Sequence, residues 1–172
     1  MADYYTPTVI DPTIPLADML PIERQFLAQV FSEDVDGENA YYYSNDGASD
    51  FITLDVGAIR DALDAPSVET CSLIKKLLDQ HGDTVLDDEE IELDGCDDLW
   101  AGVLQDIVSR SPDLDHLTVT MAFTCSKMRP DGFGGLAMLI TASTIRSEST
   151  HTLFERFYTD AAANGEINHG DS

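Results

Sequence analysis

The sequence predicts an α+β fold: a mostly antiparallel sheet of about 4–5 strands, with helices packed mainly on one face. Three observations predict it. Residues 117–125 alternate apolar and polar side chains, the two-residue period of a half-buried strand. Residues 21–31, 73–78, 99–108 and 153–161 repeat their apolar side chains at helical spacing instead. Turn-forming stretches such as Pro130-Asp131-Gly132 join neighbouring strands, which favours hairpins over crossovers.

Residues 1–15 read as an extended arm, because Pro7, Pro12 and Pro15 break any helix and remove backbone donors. Tyr4, Tyr5, Val9 and Ile10 give the arm side chains with which to lie along a single domain spanning 16–162. A first helix is expected from Pro21, suited to the first helical position, to Phe31. Ser32 to Asn39 reads as a turn-rich loop. The runs AYYYS and DFITL flank Asn45-Asp46-Gly47 and read as a hairpin. A short helix over about Val56–Leu63 follows. Another starts at Pro66, with Leu73, Ile74, Leu77 and Leu78 as its core stripe and Gly82 as its stop.

Glu89 to Asp94 alternates, with Ile91 and Leu93 on one face, and reads as a short strand. Asp97 or Asp98 is placed to cap a helix over Leu99–Ser109. After the break at Ser111–Asp115 comes Leu117–Cys125, the strongest strand of the chain. Leu136–Ala142 is the next, and its near-continuous apolar run predicts a central strand buried on both faces. The last helix is expected over Ser149–Ala162, with Leu153, Phe154, Phe157 and Ala161 turned inward. Residues 163–172 are expected to form a flexible tail.

Charge is the strongest compositional signal. Thirty-three Asp and Glu face nine Lys and Arg, a net of −24 over 172 residues. Residues 1–100 hold 24 acids and 4 bases, and residues 101–172 hold 9 acids and 5 bases. Direct nucleic-acid binding would have to overcome this field and is not expected. No apolar stretch reaches the roughly 18–20 residues of a membrane span, and the N-terminus has neither a basic nor a continuous apolar leader segment, so a cytoplasmic protein is expected. Cys71, Cys96 and Cys125 are odd in number and lack C-x-x-C spacing; buried thiols are expected, without disulfides or structural zinc.

A calcium loop with Gly37 at its sixth position would put Tyr43 where the bidentate acid belongs. His81, His116, His151 and His169 have no zinc-peptidase spacing, and neither G-x-S-x-G nor a P-loop is present. No catalytic, cofactor or metal residue is therefore assigned from sequence.

Two segments stand out. Residues 83–98 carry nine acids and no base. Asp87, Asp88, Glu89, Glu90, Glu92, Asp94, Asp97 and Asp98 form the candidate partner-binding acidic patch, which Asp34, Asp36 and Glu38 extend. Such a patch on one face imitates the charge density of a duplex, so the partner would be a basic, nucleic-acid-binding protein. The competing accounts are a solvated face and a solvent adaptation of the whole composition. The loop from Ser126 to Gly135 is the second segment. It combines Lys127, Arg129, Asp131 and Phe133 with three glycines. It would suit a small-molecule or peptide binder or an unrecognised enzyme, with Arg129 as the planar fork for an anionic ligand, or would be a plain hairpin connection. A structural, oligomerising module is the third reading, and a dimer would have to use the more neutral C-terminal half.

The stretch AFTCSKMRPDGFGGLAMLITA, Ala122 to Ala142, resembles a segment of small acidic proteins of alphaproteobacterial plasmids and other mobile elements. Leu104 to Ser111 extends the likeness loosely. The resemblance implies no activity or site. A mobile-element setting would fit a protein that counters restriction or CRISPR enzymes.

Overall fold

The computed structural model describes residues 2–64, 71–86, 89–93 and 98–167. The α+β class holds, with ten strands among the described residues rather than four or five. They are β1 (Tyr4–Tyr5), β2 (Thr8–Asp11), β3 (Ile14–Pro15), β4 (Ser32–Asp36), β5 (Asn39–Ser44), β6 (Ile52–Asp55), β7 (Glu90–Leu93), β8 (His116–Cys125), β9 (Gly134–Thr141) and β10 (Ile145–Ser149). The helices are α1 (Pro21–Val30), α2 (Val56–Leu63), α3 (Ser72–His81), α4 (Leu99–Arg110) and α5 (Thr150–Ala163). Eight strands form one sheet with the order β10-β9-β8-β2-β5-β3; β1 joins β8, and β4 covers the far edge of β5. β6 and β7 form a separate ladder, and every described pairing is antiparallel.

The N-terminal segment is not a peripheral strap. β2 pairs with β8 on one side and β5 on the other, so it joins the two halves of the sheet. Pro7 and Pro12 mark the interruptions between β1, β2 and β3, and the bond between Asp11 and Pro12 is cis. Thr8, Ile10 and Ile14 are buried on the inner face. That face also carries Tyr42, Leu117, Val119 and Ile140, and α1 and α4 cover it with Ile22, Phe26, Leu27, Val103, Leu104 and Ile107. Phe31 and Trp100 meet edge to face at 5.6 Å within this layer. α2, α3 and the β6–β7 ladder complete the same core through Ile59, Leu73, Leu77, Leu54 and Leu93.

Several sequence expectations are corrected. Ser32–Asn39 is half of a hairpin: β4 pairs with β5 from Ser32↔Tyr43 to Asp36↔Asn39. Gly37, at φ 61°, takes the first position of its two-residue turn, where glycine meets no steric cost. The run around Asn45-Asp46-Gly47 is a link between two sheets, because β6 pairs with β7 and not with β5. The start expected at Pro66 lies outside the described residues, and α3 begins at Ser72. Leu78, placed in its core stripe, is exposed. β9 lies between β8 and β10 but is covered on one face only, since Ala137 and Leu139 are exposed. β10 was not anticipated, because Arg146-Ser147-Glu148 lacks strand-forming side chains. α5 buries no residue, so Phe154 and Phe157 do not point into a core.

Candidate functional site

The acidic patch is brought together only in part. Glu90 and Glu92 project from the exposed face of β7, while Ile91 and Leu93 face the core. Their spacing along the strand is about 7 Å. Asp55 on β6 stands directly across the ladder from Glu90. Like charges so placed destabilise a sheet. Asp55 also caps α2 by accepting the Ala58 N–H at 3.0 Å. Asp55, Glu89 and Glu90 line one depression with Arg60, whose guanidinium donates to the Leu86 carbonyl at 3.1 Å. Asp55 is thus a member of the patch that sequence reading missed; its signal was the N-cap position before an apolar helical stripe.

Asp98 lies elsewhere. It borders a groove of about 350 Å³ with Asp46, Trp100, Met121 and Met138, on the inner side of the main sheet. Asp34 and Asp36 are exposed on β4, and Glu38 is exposed in the β4–β5 turn. Asp87, Asp88, Asp94 and Asp97 lie outside the described residues.

Within the same hairpin, Glu33 faces inward. Arg24 grips it with two hydrogen bonds of 2.9 Å, and the Tyr42 hydroxyl donates to it at 2.7 Å. The Arg24 hydrogen bonds hold the Glu33 carboxyl below its ordinary value, against the opposing effect of burial and with further help from Tyr42. A lowered carboxyl binds fewer protons folded than unfolded. Its stabilisation is present above the ordinary carboxylate range and lost as pH falls through the folded value. Glu33→Gln should therefore lower stability at neutral pH and flatten the acid limb, read as urea midpoints from about pH 6 to pH 2.

The loop after β8 is built around one close approach. Pro130–Gly132 form a single 3₁₀ turn, and a Cβ on Gly132 would lie 2.3 Å from that of Cys125, so only glycine fits. Lys127, Arg129 and Asp131 are exposed, and no ion pair or side-chain hydrogen bond holds them among the described residues. Phe133 is 45% and Met128 79% exposed.

A buried polar cluster that sequence reading did not find joins α1, α3 and α4. Glu23, fully buried, accepts the Leu20 N–H at 2.9 Å and the Arg110 guanidinium at 2.5 Å. Asp106, one turn before Arg110, accepts the Ser72 N–H at the start of α3 at 2.5 Å. The Cys71 thiol points at Glu23 over 3.8 Å. Burial pushes the Glu23 carboxyl above its ordinary value, although Leu20 and Arg110 oppose the shift. Burial also pushes the Cys71 thiol up to about 11, with Glu23 and Asp106 adding to it. Glu23, Cys71 and Asp106 place donor atoms within 4.8 Å of one another, as metal ligands do. The positive charge there is already Arg110, and the thiol is held protonated. The arrangement is chemically suited to tying helix ends together. Its two acids accept helix-start N–H groups that have no partner within their own helices.

No family model, curated protein or solved structure matches the chain. No helix among the described residues is long and apolar enough to cross a membrane.

Proposed function

We propose that the chain is an acidic, non-enzymatic protein-binding domain that occupies the cationic surface of a nucleic-acid-binding protein, acting as a DNA mimic of the anti-restriction or anti-CRISPR kind. The single observation that carries this reading is the exposed face of the β6–β7 ladder. There Glu90 and Glu92 follow one another along a strand, Asp55 stands across from Glu90, and Glu89 adjoins them. The like-charge pair in register costs the ladder stability, and of its two members only Asp55 has an offsetting structural role, as the cap of α2. The geometry suits a partner that brings lysines and arginines. A basic surface would relieve the repulsion on contact, and the net charge of −24 would steer the encounter.

The test is binding of a purified basic nuclease and a purified repressor to the immobilised chain. Raising NaCl from about 50 to 300 mM should weaken binding roughly tenfold or more, and duplex DNA should compete. Combined Asp55→Asn, Glu89→Gln, Glu90→Gln and Glu92→Gln should weaken it by a similar factor, while Asn retains the helix cap. Binding indifferent to both salt and these changes would refute the reading.

A further inference from the structure

We infer that β10 and α5 form the two-fold interface of a homodimer, a surface separate from the acidic ladder. α5 runs for 14 residues and buries none of them. Phe154, Phe157 and Tyr158 are 56%, 52% and 61% exposed, and with Leu153 and Ala161 they form one continuous helical stripe. Only Leu153, Ala161 and Ala162 among its apolar side chains are half-buried, and a helix of this length with so little tertiary cover is marginal in water, so the exposed aromatics call for a partner. β10 beside it is an edge strand, paired with β9 alone among the described residues. Its other edge offers backbone N–H and C=O groups for a further strand.

Charge identifies the occupant as a second copy of this chain. Arg146 and Glu148 flank Ser147 on the same face of β10. Antiparallel pairing of two β10 strands about Ser147 sets Arg146 opposite Glu148 of the second copy, and Glu148 opposite its Arg146. Opposite charges so placed stabilise a sheet, and a two-fold axis makes both contacts at once. Arg156 already holds one Glu148 oxygen at 2.6 Å, and a carboxylate accepts on both oxygens. The surrounding surface is the part a like-charged copy can approach. Residues 134–163 carry Arg146 and Arg156 against Glu148, Glu155 and Asp160, a net of −1 within a chain of −24.

The face of the sheet adds to the fit. Thr152 and Leu153 border grooves with Thr120 and Ala137, so the start of α5 lies on the face away from the core. An axis normal to the sheet at Ser147 keeps both copies of α5 on that face, where their exposed aromatics are available to each other.

Sedimentation equilibrium of the full chain tests this. The expected mass is about 38 kDa, twice 18.9 kDa. Because both copies are strongly negative, raising NaCl from about 50 to 500 mM should tighten the dimer roughly fivefold, opposite to the salt effect expected for a basic partner. Arg146→Glu and Glu148→Arg should each weaken it at least about tenfold, and an equimolar mixture of the two variants should restore it, since every facing pair is then opposite in sign. Phe154→Ser with Phe157→Ser should give a monomer that still unfolds cooperatively, with a urea midpoint below that of the dimer and independent of protein concentration. A mass of 18.9 kDa under all these conditions would overturn the proposal, as would a dimer insensitive to all four substitutions. A monomer that sediments with phosphatidylcholine vesicles would overturn it in favour of a lipid surface.

Discussion

Arg110→Ala is expected to remove about 3–5 kcal/mol of folding stability, the cost of stranding a buried charge. Glu23 is fully buried and its carboxylate has one cationic partner among the described residues, Arg110 at 2.5 Å. Without it, the Leu20 N–H and the weakly donating Cys71 thiol remain, and Asp106 adds a like charge nearby. The loss should depend on pH with a defined sign. The folded Glu23 carboxyl lies above its ordinary value, so the folded state binds more protons than the unfolded state between the two. Stability from this group is greatest below the ordinary value and falls as pH rises through the folded one. The defect of Arg110→Ala should therefore be largest at neutral pH and shrink on acidification. Glu23→Leu with Arg110→Met should cost less than either single change, because no charge is left unpaired. Urea denaturation with a constant m-value reads all three. A loss below about 1 kcal/mol for Arg110→Ala would show that the cluster does not join the helices as argued.

Deleting residues 2–15 should abolish cooperative folding. β2 is the only described link between β8 and β5, so its removal divides the sheet and exposes the edges of both strands. Ile10 and Ile14 would leave the core at the same time. Ile10→Ala alone should cost about 2–5 kcal/mol, the usual range for truncating a buried aliphatic side chain. The deleted chain should show no sigmoidal urea transition by circular dichroism, and a synthetic peptide of residues 2–15 added in trans should restore one. A truncated chain that unfolds cooperatively at the original midpoint would sink this account of the segment.

The periodicity of β8, the stripes of α1 and α4 and the alternation of Glu90–Leu93 were legible because each is a local pattern repeated over many residues. β4 and β10 were not. Both are edge strands rich in charge, and an edge strand needs no apolar face of its own while a neighbour supplies the pairing. Pairing partners were the other gap. Asn45-Asp46-Gly47 and Asp36-Gly37 carry similar turn chemistry, yet only the second closes a hairpin.

By itself the sequence determined the α+β class, most helix positions and an acidity of −24 concentrated before residue 100, since these depend on composition and short-range spacing. Tertiary structure alone decided that the N-terminal segment joins the sheet, that Asp55 adjoins Glu89 and Glu90, that Glu23 meets Arg110 across 87 positions, and that the α5 aromatics stay exposed. The physical reason is common to all four. A side chain's period records which face is apolar, but what covers that face is set by contacts between residues far apart in the chain.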